Sequence, residues 1–258
     1  MPNLNTSMKQ QNEKPRLCLI HGWGASNEIW QPWLDQLSES FTISCISVPG
    51  LGDHQLSDST LTIEAALDKL AVKIPRNSFL VGWSLGGMLA TLLSSRQELA
   101  IKGLITISCN PSFVQQVDWP NAMPLEQFNN FTVLLAKNVT KTLSRFFALQ
   151  VQGGSDGKSI LTYLKTINDD AKHTHLSETL GFLLHDNRSQ LLALKQPSLH
   201  FFGEFDQLVP VAVSDEIPSL NSMASSVVIK KAGHVPFLSD GEMMAKKISA
   251  FCVAQGTK

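Results

Sequence analysis

The sequence predicts an α/β chain: a mostly parallel central sheet flanked by helices, with a helical cap insertion. Three observations carry that expectation. Short apolar segments alternate with helical patterns, and they are apolar along their whole length rather than at every second residue. Strands of that kind belong to parallel sheets covered on both faces. A Gly-x-Ser-x-Gly spacing, Gly82-Trp83-Ser84-Leu85-Gly86, joins one such segment to a helical pattern. From residue 111 to 185 the helical patterns continue without a convincing strand.

Taken in order, the first strand is expected at Arg16–Ile20, ending in His21-Gly22-Trp23-Gly24. Ile29, Trp30, Trp33, Leu34 and Leu37 then recur at the spacing of an amphipathic helix. A β-rich run over 41–48 stops at Pro49-Gly50-Leu51-Gly52, and a helical pattern over 61–74 follows. The run 78–81 leads into Gly82, after which Met88, Leu89, Leu92 and Leu93 mark a helix reaching Arg96. Residues 101–107 read as the next buried strand. The insertion carries helical patterns over 125–137, 139–150, 160–168 and 176–184, broken at Trp119-Pro120 and Gly153-Gly154. The alternation returns with a strand at 198–202, a helix at 211–220, a strand at 226–230 and a closing helix at 242–254. The expected division is an α/β core (16–110 and 186–258), a helical cap (111–185) and a polar N-terminal tail (1–15). That tail leaves a leading antiparallel hairpin in doubt.

Bulk properties narrow the classes of function. The 258 residues suffice for one large domain, and 43% hydrophobic with 17% charged residues is ordinary for a globular enzyme. A formal net charge of -1 provides no global field for nucleic acid or an anionic membrane. No apolar run approaches the roughly 20 residues that span a bilayer. Met1 to Pro15 lacks the apolar stretch of a secretory signal, so cytoplasmic residence is expected. Cys18, Cys45, Cys109 and Cys252 form no C-x-x-C pair and read as buried free thiols. The Asn130 and Asn138 sequons are then coincidental. There is no internal repeat.

The chemistry starts at Ser84. A serine held in a strained turn between strand and helix projects its hydroxyl clear of the sheet, and Gly82 and Gly86 remove side chains that would collide. The string alone also fits a plain tight connection with an incidental serine. Its context and its downstream partners decide between the two. A serine needs a base, and the base needs an acid to hold its tautomer, in the chain order Ser, Asp or Glu, His. Asp206 lies just past the strand ending at 202, in Gly203-Glu204-Phe205-Asp206-Gln207-Leu208-Val209-Pro210. His234 lies past the last strand, in Ala232-Gly233-His234-Val235-Pro236-Phe237. Glu204 and Asp186 are rival acids. His54, His173, His175, His185 and His200 read as surface or partly buried residues, with His173-Thr174-His175 a solvated helix end rather than a metal site. An oxyanion would be held by the backbone N–H of Leu85 and of Trp23. No Lys-Ser/Thr pair follows the glycines near Trp23, which disfavours a phosphate cradle.

His21-Gly22-Trp23-Gly24, Pro49-Gly50-Leu51-Gly52, Gly82 to Gly87, Asp206 to Pro210 and Gly233-His234 together resemble the α/β-hydrolase superfamily. Trp23, Trp83, Asp118-Trp119-Pro120 and Arg145-Phe146-Phe147-Ala148-Leu149-Gln150 narrow it. They are similar to the carboxylesterases of biotin synthesis, which hydrolyse the methyl ester of pimeloyl bound to acyl carrier protein. The resemblance implies Ser84 as nucleophile, His234 as base and acid, Asp206 as its orienter, and Trp23 and Leu85 as oxyanion donors. It implies that Phe146, Phe147, Ala148, Leu149 and Gln150 line an acyl channel, that no cofactor or metal is needed, and that a monomer acts on carrier-bound or small esters. The continuation Asp53-His54 departs from the superfamily's usual small or basic residue and serine. Lys137, Lys141, Arg145 and Lys158 cluster in the insertion, Lys141 and Arg145 at i, i+4. They fit docking of an acidic carrier or, equally, a solvated helix side. A short-chain esterase, a carbon–carbon bond hydrolase or a hydrolase-like ligand receptor remain the alternatives.

Overall fold

The computed structural model describes residues 14–52, 60–169 and 173–256. Asp53, His54 and most of the polar tail therefore lie outside the described residues. Six strands form one sheet there: β1 (Arg16–Ile20), β2 (Thr42–Ile46), β3 (Phe79–Trp83), β4 (Gly103–Ile107), β5 (Ser198–Gly203) and β6 (Ala224–Ile229). Their order is β2-β1-β3-β4-β5-β6, and every pairing is parallel. The expectation of a mostly parallel sheet thus becomes an all-parallel one among the described residues. β1, β3, β4 and β5 are buried along nearly their whole length, which is why they read as continuous apolar runs.

The chain goes from β1 outward to β2, then returns to place β3 on the other side of β1. At such a reversal the connections leave a crevice beyond the carboxyl ends of the strands. The loop after β1 and the turn after β3 both sit at this point.

Helices α1 (Gln31–Ser38), α2 (Ile63–Ala71) and α3 (Leu85–Ser94) alternate with the first strands. The α3 helix is buried on every side and packs on β1, β3 and β4, which explains its lack of a polar face. Between β4 and β5 come α4 (Leu125–Lys137), α5 (Val139–Val151), α6 (Gly157–Asp169), α7 (Leu176–Gly181) and α8 (Arg188–Ala193). The chain closes with α9 (Val213–Leu220), α10 (Pro236–Ser239) and α11 (Gly241–Gly256). The pattern over 176–184 is divided: α7 ends at Gly181 and Phe182–Leu184 tightens into a 3₁₀ turn. The helices α8 and α10 are six and four residues long, too short for periodicity to declare them.

The helical segment leaves and rejoins the sheet at a narrow neck. Asn187 N–H donates to the Pro111 carbonyl at 2.8 Å, and Ser112 bridges Asp186 in antiparallel fashion. Arg188 pairs with Asp186 at 2.7 Å and Asp118 at 3.0 Å while lying 5.4 Å over the Trp119 ring. The buried Asn187 amide also donates to the Met88 carbonyl of α3 at 2.8 Å.

Three histidines besides His234 are buried in the interior among the described residues. His200 is not a surface residue: it stands opposite Thr106 in the β4–β5 register and is 2% exposed. Its ring nitrogens meet the hydroxyls of Thr106 at 2.7 Å and Ser198 at 2.9 Å, so a polar ring is satisfied within the sheet. His21 accepts the Val48 N–H on Nε2 at 3.0 Å, which leaves Nδ1–H to donate to the Gly22 carbonyl at 2.9 Å. That pairing needs the neutral ring. His175 is buried as well, against the expectation of a solvated helix end, because Gly50 packs on its side chain.

Burial pushes the pKa of His200 down to about 3 and that of His21 down to about 4. Between those values and the ordinary 6.5 the unfolded chain binds protons that the folded chain does not. Stability is therefore complete above about pH 6.5 and falls as pH drops toward 4, by up to about 1.4 kcal/mol per pH unit per histidine. Urea denaturation across pH 4–7 should show this slope, and His200→Gln should make it shallower by one proton. A stability that rises on acidification would contradict the account.

Candidate active site

The turn after β3 is strained by design of its surroundings. Ser84 has φ 54° and ψ −121°, outside the helical and extended regions. Such a residue costs about 1–3 kcal/mol and persists only where neighbours over-determine it. Here they do. Ser84 N–H donates to the Ile107 carbonyl of β4 at 2.9 Å, and the Ser84 carbonyl accepts from Gly87 at 2.8 Å and Met88 at 3.2 Å. A Cβ on Gly82 would overlap the Gly86 backbone, and one on Gly86 would overlap the Ile20 carbonyl. A Cβ on Gly22 would stand 3.2 Å from Ser84 Cβ, so the loop after β1 lies directly against the serine.

Asp206 and His234 meet at the same edge. Asp206 Oδ2 accepts the His234 Nδ1–H at 2.8 Å, with both side chains essentially buried. The other carboxylate oxygen accepts the N–H groups of Leu208 at 2.8 Å and Val209 at 3.0 Å, closing the turn and aiming the acid. With Nδ1 protonated toward Asp206, Nε2 of the neutral ring is the basic atom. It is buried and has no hydrogen-bond partner among the described residues. His234 is fixed from two sides through its backbone. Its N–H donates to the Gln150 carbonyl of α5 at 2.8 Å, and its carbonyl accepts the Trp83 indole N–H at 2.8 Å. The residue beside Ser84 thus holds the main chain of His234.

The rival acids are engaged elsewhere. Glu204 bonds Lys230 and the Lys231 backbone, and Asp186 is bound by Arg188. Among the described residues, neither the Leu85 N–H nor the Trp23 N–H donates a backbone hydrogen bond. Leu85 begins α3, so the positive end of the helix dipole adds to its donor. Leu85 adjoins Ser84 in the chain, and the loop that carries Trp23 lies against the serine through Gly22.

Trp23 also ties the loop after β1 to the helical segment. Its indole N–H donates to the Leu176 carbonyl at 2.9 Å, and its ring meets Phe131 and Phe146 edge-on at 5.5 and 5.1 Å. Beyond these rings lies an apolar cavity of about 80 Å³, bounded by Phe113, Phe128, Phe131, Phe146, Leu149 and Leu183 among others. Gln207 and Leu208, next to Asp206, reach the same cavity. Of the five insertion residues expected to line a channel, Phe146 and Leu149 bound this cavity. Ala148 is exposed on the outer face of α5, because one helical step of 100° turns it away from its neighbours. Phe147 is buried but does not bound this cavity. Gln150 is 1% exposed, and both its amide atoms lack a hydrogen-bond partner among the described residues. Lys141, Arg145 and Lys158 are exposed on α5 and α6, and these two helices pack together.

Sequence reasoning missed the Trp83 indole bond and the Gln150 carbonyl bond to His234. The first had a signal, a tryptophan adjoining the nucleophile; the second, a main-chain contact, had none.

An alpha/beta hydrolase fold family model matches residues 15–241. A pimeloyl-[acyl-carrier protein] methyl ester esterase of Pseudoalteromonas atlantica is 32% identical, over 93% of this chain and 95% of its own length. The biotin biosynthesis bifunctional protein BioHC of Cellvibrio japonicus is 33% identical over 92% of this chain. The chain spans only about half of that bifunctional protein, 47% of its length. An esterase from Exiguobacterium antarcticum superposes with a TM-score of 0.83 at 18% identity, covering 93% of this chain and 92% of that one, a likeness of fold. The chain belongs to the α/β-hydrolase fold family, and within it to the family of the pimeloyl-[acyl-carrier protein] methyl ester esterases.

Proposed function

We propose that this chain is a serine carboxylesterase that hydrolyses the methyl ester of pimeloyl-acyl carrier protein in biotin synthesis. The observation that carries this reading is Ser84, at positive φ in the turn after β3, on the sheet edge that also holds the buried Asp206–His234 pair, whose Nε2 has no partner among the described residues. Relatives named as pimeloyl-[acyl-carrier protein] methyl ester esterases support the substrate class. Four unpaired cysteines fit a reducing, cytoplasmic setting.

In this reading His234 Nε2 takes the Ser84 proton as Oγ attacks the ester carbonyl. The tetrahedral oxyanion accepts hydrogen bonds from the N–H groups of Trp23 and Leu85. His234 then returns the proton to the leaving methanol. Water, deprotonated by the same Nε2, attacks the acyl-enzyme and releases the carboxylate and Ser84. Asp206 holds the imidazole and stabilises it while it is charged. Protein groups and water carry every proton and electron pair in the cycle. Residues 111–185 act as a cap over the core of 16–110 and 186–258. The apolar cavity between Phe113, Phe131 and Phe146 takes the acyl chain. The exposed cations Lys141, Arg145 and Lys158 meet an acidic carrier protein and raise its encounter rate.

Ser84→Ala should lower kcat on a methyl ester by at least about 10³-fold while the folded circular dichroism spectrum is kept. Turnover near the parent value in that variant would remove the mechanism. Reversing Lys141 and Arg145 to Glu should reduce kcat/KM for carrier-bound ester by about tenfold or more. The same variant should act normally on a short soluble methyl ester. Equal loss on both substrates would argue against docking at these residues.

A further inference from the structure

Glu204 is the first residue after β5 and stands two residues before Asp206. Its side chain crosses to the neighbouring loop instead of approaching the imidazole. Oε2 accepts the Lys231 backbone N–H at 2.9 Å, and Oε1 pairs with Lys230 Nζ at 2.9 Å. The same two loops are joined along the main chain. Glu204 N–H donates to the Ile229 carbonyl and Phe205 N–H to the Ala232 carbonyl, both at 2.9 Å. A Cβ on Gly203 would overlap the Gly233 carbonyl, so the loops touch backbone to backbone.

Lys231 is the bend between β6 and His234, and its φ is +56°. That left-handed conformation is rare for a residue with a side chain, because Cβ crowds the following carbonyl. Here the Lys231 carbonyl accepts from Ser155 at 3.0 Å and its N–H is taken by Glu204. Both peptide groups of the bend are therefore anchored. The ammonium of Lys230 is 77% exposed, and ion pairs of that kind hold little on their own. The Lys231 N–H first, and then Lys230, keep the Glu204 carboxyl below the usual range, so it remains an ionised acceptor at neutral pH.

We propose that Glu204 is a positioning residue: by accepting the Lys231 N–H it holds the left-handed bend that seats His234 against Asp206. The proposal rests on the reading of His234 as the base and adds a residue for which motif matching supplies no role. It also explains why a side-chain-bearing residue can occupy a bend that glycine would take without support.

Steady-state kinetics on a short soluble methyl ester test it with four variants. Glu204→Ala should lower kcat by about tenfold with KM nearly unchanged, since the base is displaced while the acyl cavity is not. Glu204→Gln keeps an amide oxygen for the Lys231 N–H and should retain most of the turnover. Lys231→Gly added to Glu204→Ala should recover kcat to within about threefold of the parent, because glycine adopts the bend unaided. Parental kcat in Glu204→Ala, or no recovery in the double variant, would overturn the proposal. His234→Ala provides the separate control: if it keeps turnover, the assignment of the base itself fails, whatever Glu204 does.

Discussion

Everything at the site depends on how closely three backbone segments approach one another around Ser84. Gly22, Gly82 and Gly86 leave no room for a Cβ, and the serine between them is held at φ 54°. Because the hydrogen bond from Ser84 to Ile107 ties this turn to the neighbouring strand, the strain cannot relax locally. The sheet must be parallel and continuous for that bond to exist. Packing along the whole of α3 therefore serves the geometry of a single hydroxyl.

His234 is governed by a different constraint. His234 lies in a loop, yet its N–H and carbonyl are both taken, one by α5 and the other by Trp83. The helical segment contributes a main-chain carbonyl and the sheet an indole N–H to the backbone of the same residue. Asp206 adds the third contact, through a carboxylate already oriented by two N–H groups of its own turn. An imidazole held in this way has little rotational freedom, which favours proton transfer at a fixed position over adaptability.

Much of this was legible in the sequence, and the limits are instructive. The placement of Ser84, Asp206 and His234 just past strands, and the Asp206–His234 pairing, could be read because a serine triad would demand those side chains there, in that order. The alternation of apolar strands and helices was readable for the same reason: burial on both faces leaves few polar positions. The burial of His200 is not legible, since nothing in its sequence neighbours distinguishes a histidine paired with two hydroxyls from one in water. Ala148 shares a run with Phe146 and Leu149, yet a helix presents successive residues to different sides. In the sequence Glu204 reads only as an alternative acid. Its actual partner is a main-chain N–H 27 residues away, and a main-chain partner leaves no trace in residue identity.

The neck formed by Pro111, Ser112, Asp186 and Asn187 has an evolutionary consequence. Since the two ends of the intervening segment are fastened to each other, the sheet is shielded from whatever lies between them. Lengthening or exchanging that segment alters a loop already closed at its base, where added residues cost little in chain entropy. New substrate preferences can thus arise by remodelling the segment while the hydrolytic machinery is inherited intact.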